Sequence, residues 1–360
     1  ADLQEPTESE DPALDEKIIP SPPRPKRDLT PAFGGLDSKA LEQGELLSRR
    51  LSKQARHLRR WPKKGIHCYR LYDRDIPEIP LVIDRYHDYL HIADYERPHT
   101  RTPAQYADWL EHMCESARRT LEIPKGNVFV KHRTRQRGST QHEKVGDHRK
   151  TITAEEGGLH FEVNLSDYVD TGLFLDHRLT RQRVREEAAG KRMLNLFCYT
   201  GAFSVYAAAG GAESTVSVDL SSTYLDWAER NFELNHLSGP RHQFVRSDAL
   251  DFVRNQRRGD LFDLVVVDVP TFSNSKRTED VWDVQRDHIE LLTAIESTLS
   301  SNGVVYFSTN FRRFKFDVEN LPQFAVREIS QKTVPEDFRN KRIHRCWRMI
   351  RSVPATVQPE

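Results

Sequence analysis

A doubly wound α/β domain, preceded by a small α+β domain and a disordered tail, is the fold class this sequence predicts. From about Thr171 onward, five short apolar runs almost free of charge alternate with helical patterns: Met193–Phe197, Ser214–Asp219, His242–Arg246, Phe262–Asp268 and Val304–Ser308. Such runs belong to parallel strands covered on both faces. Upstream, two strand patterns, a helix and two further strand patterns follow in order, as a small sheet domain would require. The boundaries are 1–34 for the tail, 35–165 for a basic helix plus the small domain, and 166–360 for the doubly wound domain.

Composition narrows the function. Lys+Arg total 54 and Asp+Glu total 54, which excludes a globally basic nucleic-acid coat but not a locally basic face. With 37% hydrophobic and 30% charged residues, the chain is polar yet above the disordered range. No run approaches the ~18 apolar residues of a membrane span, and the acidic N-terminus has no apolar segment behind it, so neither a span nor a signal peptide is expected. Cys68, Cys114, Cys198 and Cys346 lie far apart without a CxxC or a Cys/His zinc spacing. Free thiols, a cytoplasmic location and no metal site are the expectations. Nothing here sets an oligomeric state.

The tail opens on Asp2, Glu5, Glu8, Glu10 and Asp11 before any basic residue and continues through Pro20, Pro22, Pro23 and Pro25. It lacks the apolar surface to offset its ordering entropy. From Asp37, Leu47, Leu51, Ala55 and Leu58 recur at helical spacing, while Arg49, Arg50 and Arg56 take other faces. No acid falls between Ser48 and Lys64. Charged faces usually mix signs, so a solvated surface and a phosphate-binding surface both remain open here.

Leu81-Val82-Ile83 and Tyr89–Ile92 form a hairpin pattern, and Thr102-Pro103 opens a helix to about Leu121. Val128–Val130 and Leu159–Val163 complete the small sheet. Between them Lys131, Arg133, Arg135 and Arg137 alternate along a segment expected to leave the strand as a basic loop. A second basic stretch in one half of a neutral chain favours nucleic acid as partner.

Ligands of a doubly wound sheet bind beyond the carboxyl ends of its strands. The first strand ends in Phe197-Cys198-Tyr199-Thr200-Gly201, with one glycine where a dinucleotide fold needs G-x-G-x-x-G. That counts against a dehydrogenase. The second strand ends at Asp219, 18 residues past Gly201, where a carboxylate can accept from two ribose hydroxyls. The third ends Ser247-Asp248-Ala249, with an acid suited to an adenine amino group. The fourth ends Asp268-Val269-Pro270-Thr271-Phe272. An adenosyl ligand without a pyrophosphate fits this set.

These strand ends, with Asp170–Arg178, Pro270–Arg277, Val284–His288, Cys68–Asp73 and His344–Trp347, resemble the RlmK-type methyltransferases, which form N7-methylguanine in large-subunit (23S) ribosomal RNA. The likeness runs from about Leu46 to Arg351 and corresponds to the C-terminal half of a fused enzyme. It implies a Rossmann-like domain, S-adenosyl-L-methionine as cofactor, and ribosomal RNA or a large-subunit precursor as partner. It also implies roles. Asp219 would meet the ribose, Asp248 the adenine, and Tyr199, Thr200 and Gly201 the methionine arm, with Phe174, Leu220 and Ala249 as further cofactor-binding residues. Asp176 or Arg178 would hold its charged end, Asp268 would stand beside the methyl group, and Pro270, Phe272 and Asn274 would border the target base. The family has Asp-Pro-Pro where this chain has Asp268-Val269-Pro270, with a loss of local rigidity expected.

Guanine N7 offers a lone pair and no proton, so its methylation needs positioning and a matched field. Pyrimidine carbon-5 methylation needs a cysteine nucleophile, and Ser308-Thr309-Asn310 supplies none after the fifth strand. A 5-methylcytosine enzyme and a non-catalytic RNA-binding assembly factor are the alternatives. Cys198, Cys346 and His288 are expected to serve the core.

Overall fold

Asp37 starts the chain's first helix by accepting a hydrogen bond from the Ala40 amide, and α1 (Ser38–His57) follows with Leu47 and Leu51 buried. Such a cap contributes about 1 kcal/mol. The computed structural model describes residues 36–95, 97–133, 150–168, 170–256, 261–270, 272–273 and 282–352. The acidic tail, Arg135, Arg137 and Asn274 lie outside them.

Strands β1 (Cys68–Asp73), β2 (Leu81–Tyr86), β3 (Tyr89–Tyr95) and β4 (Val128–Arg133) form a sheet in that order, with β4 parallel to β3. The crossover is α2 (Pro103–Thr120), opened by Thr102 and Gln105, each bonding the other's backbone amide. Both helices cover one sheet face, closing a core of Leu47, Leu51, Ile83, Ile92, Trp109 and Met113.

Two expectations are corrected here. Cys68–Asp73 is a strand, although the sequence motif was not read as one. Leu159–Val163 belongs elsewhere: β5 (Thr151–Glu156) and β6 (Leu159–Asn164) make a separate hairpin. Its Phe161 and Val163 share one core with Tyr206 and Phe232 of the downstream half and with Cys68 and Tyr86 of the small sheet, so the hairpin lies between the two rather than in the small sheet. A period-two apolar pattern specifies a buried face but not which body buries it.

Downstream come α3 (Arg178–Glu187), β7 (Arg192–Leu196), α4 (Ala202–Ala209), β8 (Ser214–Asp219), α5 (Ser222–Leu234), β9 (His242–Arg246), α6 (Ala249–Arg254) and β10 (Phe262–Val269). After the short pair β11 (Phe272–Ser273) and β12 (Trp282–Asp283) follow α7 (Val284–Glu296), β13 (Leu299–Thr309), β14 (Phe324–Glu328) and β15 (Arg345–Arg351). The seven-stranded order is β14-β15-β13-β10-β7-β8-β9; β9 through β13 are parallel, and β15 and β14 are antiparallel additions. Along β10, Val265 and Val267 enter one core layer and Leu264 and Val266 the other. Each contributes about 1.5–3 kcal/mol by burial. The chain reverses direction across the sheet between β7 and β10, so the ligand crevice falls at the ends of these strands. Val269 is part of β10, paired with Thr309 and buried, so the sheet itself restrains the position where the family carries proline.

Arg178 joins the two halves. Its guanidinium donates to the Cys68 carbonyl at 3.0 Å and to Asp337 at 2.7 Å, and lies over the Trp61 ring. Asp337 also accepts from the Arg70 amide.

Candidate active site

The turn after β7 has left-handed backbone at Phe197, Tyr199 and Gly201, with φ of 55°, 51° and 70°. A Cβ on Gly201 would stand 2.7 Å from the Ala228 methyl, so glycine is required both for conformation and for space. The turn aims the Tyr199 amide at Asp219 Oδ2 (3.0 Å), while the Ser221 amide donates to Oδ1 (2.9 Å). The carboxylate is thereby fixed at the end of β8. The Tyr199 ring stands 5.1 Å from that of Phe174 and 4.6 Å from that of Tyr224, forming an aromatic wall. Thr200 donates to the Gly172 carbonyl at 2.6 Å.

A cavity of about 1020 Å³ opens between these strand ends and the polar face of the small sheet. Of the residues the sequence singles out, Arg133, Phe174, Asp176, Tyr199, Thr200, Asp219, Leu220, Ala249, Asp268 and Pro270 line it. Arg70, Asp84, His91 and Tyr95 line the opposite side and were not foreseen. Asp84, His91 and Tyr95 come from strands whose apolar face alone gave a sequence signal, and Arg70 from β1, which gave no strand signal.

Several expected site residues are engaged elsewhere. Arg178 is buried in the joint between the halves, away from the cavity wall. The Asp248 carboxylate caps α6 through the Leu250 and Asp251 amides (2.8 and 3.2 Å), leaving Ser247 and Ala249 on the wall. Lys131 and Arg133 do not leave the sheet as a free basic loop. They share one face of β4, where the Lys131 ammonium bonds the Tyr168 carbonyl and Arg133 pairs with Asp170 at 2.8 Å. Burial pushes the Lys131 amine down to about 8. On α1, Arg49 pairs with Glu45 and Arg50 with Asp75, and Arg56 is exposed. The backbone of Phe272 pairs with Asp283 beyond Pro270.

Asp268 sits in a polar cluster that sequence patterns did not reveal. Ser308 donates to its Oδ1 at 2.6 Å, and His177 Nε2 stands 3.5 Å from its Oδ2 and 3.7 Å from Asp176 Oδ2. His177 Nδ1 is buried without a partner. A buried orphan lone pair is more tolerable than an orphan N–H, so the proton belongs on Nε2, facing the two carboxylates. Burial pushes the His177 pKa down against the pull of Asp268. Burial raises the Asp176 pKa, but His177, His344 and Arg70 outweigh it and hold the group well below the usual carboxylate range. Donor atoms of Asp176, His177 and His344 lie within 4.8 Å of one another. The two rings stack at 4.2 Å and 14°, so their in-plane lone pairs run parallel and do not converge on one ion. His344 instead bridges Asp176 and Thr333, at 2.9 and 3.0 Å.

The thiols are core groups. Cys68, Cys198 and Cys346 are buried, and burial, reinforced by Asp219 for Cys198 and Asp268 for Cys346, pushes the latter two far from the thiolate form. His288 is buried among Phe307, Phe314 and Phe316. No helix of the described residues is long and apolar enough to cross a membrane.

Residues 90–308 match the family model of an S-adenosylmethionine-dependent methyltransferase. The chain is 48% identical over 300 residues to ribosomal RNA large subunit methyltransferase K of Neisseria meningitidis serogroup B, covering 83% of this chain and 85% of that protein. It is 46% identical over 310 residues to ribosomal RNA large subunit methyltransferase K/L of Pseudomonas fluorescens, covering 86% of this chain and 41% of that longer one. Among solved structures, the methyltransferase SMU.776 in complex with SAH superposes with a TM-score of 0.67 at 25% identity, covering 85% of this chain and 81% of that one. The chain belongs to the family of S-adenosylmethionine-dependent methyltransferases that includes ribosomal RNA large subunit methyltransferase K.

Proposed function

We propose that this enzyme methylates large-subunit ribosomal RNA at guanine N7, with the cytoplasm as its working compartment. The observation that carries this reading over its rivals is the end of β13. Ser308, where a carbon-5 enzyme would need a thiol, holds Asp268 instead, and the nearby thiols are buried. S-adenosylmethionine supplies the electrophilic methyl group when bound. The residues present suit it: a close-approach turn at Gly201, an aromatic wall, and a carboxylate fixed at the second strand end.

In this reading Asp219 accepts hydrogen bonds from the ribose hydroxyls, and Leu220 and Ala249 flank the adenine in place of Asp248. Phe174, Tyr199, Thr200 and Gly201 border the methionine arm. Asp268, oriented by Ser308 and His177, supplies negative potential beside the reacting centre. Pro270, Phe272 and Asn274 border the base. No general base is required, because N7 has no proton to lose.

Incubation with radiolabelled cofactor and unmodified large-subunit ribosomal RNA tests this reading. Label is expected in 7-methylguanine; label in 5-methylcytosine, or none, overturns it. Asp219→Ala is expected to weaken cofactor binding by about 1.5–3 kcal/mol through lost charge-assisted hydrogen bonds. Calorimetric affinity equal to wild type would remove Asp219 from the site.

A further inference from the structure

We infer that the RNA docks on a basic rim over the cavity, made by the turn after β13, the segment before β15 and the end of α1. This rests on the proposed RNA substrate and assigns the surface that holds it. Pairing of Thr309 with Arg345 brings the segments 310–316 and 339–344 to the same end of the sheet as the cavity. Arg312 and Asn340 line its wall. Arg312, Arg313 and Arg342 are exposed, and none forms an ion pair among the described residues.

The rim continues onto the small domain. Asp75 receives Arg50 of α1 from one side and Arg339, at 3.5 Å, from the other. His57 at the end of α1 bonds Glu336. These contacts seat the exposed Arg56, Arg59, Arg60, Lys63 and Lys64 beside the 339–342 segment. The exposed cations on the two sides of the Asp75 and Glu336 contacts are suited to a polyanion that spans them. A small anion would meet one end, whereas an RNA backbone spans the whole rim and delivers a base to the cavity. Guanidinium groups suit phosphate oxygens by their forked donors, and such contacts position the nucleic acid without reading its sequence. Lys131 and Arg133, on β4, do not serve in the same way, because their charges already have protein partners.

The test measures binding of the full chain to unmodified large-subunit ribosomal RNA, transcribed in vitro, across a salt series. Arg312→Gln, Arg313→Gln and Arg342→Gln together are expected to weaken binding about tenfold or more at low salt and to flatten the log–log salt slope by about two units, at roughly 0.7 per single-strand phosphate contact. The same three positions changed to Lys should keep most of the slope. Arg241→Gln, at the opposite end of the sheet, should bind RNA as wild type does. The Gln variant should unfold at the wild-type temperature, which reports an intact fold. Wild-type affinity and slope in the Gln variant overturn the rim alone. Failure of the wild-type protein to bind or methylate this RNA overturns the functional reading and the rim together.

Discussion

Replacing Arg181 with methionine is expected to cost about 3–5 kcal/mol of folding stability, the range for stranding one partner of a buried ion pair. Arg181 donates to Glu156 Oε1 through Nε (2.9 Å) and Nη2 (2.6 Å), and to the Phe174 carbonyl through Nη1 (2.9 Å). Both side chains are at most 2% exposed, and Glu156 Oε2 already lacks a partner. Tyr206 is the remaining donor to this carboxylate, at 3.0 Å. Urea unfolding at neutral pH checks the result, and Glu156→Leu together with Arg181→Met should recover most of the loss. A single-variant cost below about 1 kcal/mol would mean that the pair behaves as a solvated one. The Phe174 carbonyl keeps the His177 amide at 3.2 Å but loses the Arg181 donor, so cofactor affinity should fall alongside stability.

Asp268→Asn is expected to lower turnover on the order of 10²–10³-fold, the scale of losing one preorganised electrostatic group at a reacting centre. The amide keeps the shape of the side chain and its contact with Ser308, so the fold should survive and cofactor affinity should change far less than turnover. Single-turnover methyl transfer to ribosomal RNA separates the two effects. Turnover within about threefold of wild type would place the carboxylate outside the chemistry.

The parallel strands were legible because each buries both faces, and four consecutive aliphatic residues such as Leu264–Val267 have no other economical location. Strands at or next to the edge were not. In β15, paired between β13 and β14, Arg345, Arg348 and Arg351 interrupt Cys346, Trp347, Met349 and Ile350, and their acid partners Glu328, Glu187 and Glu296 come from other elements. Likewise β1 mixes Arg70 and Asp73 with buried tyrosines, and its polar groups make sense only beside Asp84 and Asp337.

The strand-end chemistry behaves similarly. Asp219, Tyr199 and Gly201 follow from local rules, because the turn after a parallel strand and the acid ending the next are set by a few neighbouring residues. Asp248 shows the limit of such rules: an acid at a strand end is equally a helix cap, as this one is through Oδ1, and local sequence cannot say which.

By itself, then, the sequence determined the layer architecture, the crevice at the strand ends and the family chemistry, all of which rest on residues close together in the chain. Tertiary structure alone decided which charges remain available. Lys131, Arg133 and Arg178 read as ligand-binding cations until Tyr168, Asp170 and Asp337 arrive from distant segments to pair with them. His177 likewise gains a role only when β10 brings Asp268 and the segment before β15 brings His344 within reach. A side chain's type is written locally, but its ionisation, partner and exposure depend on long-range packing, and function at this site depends on those three.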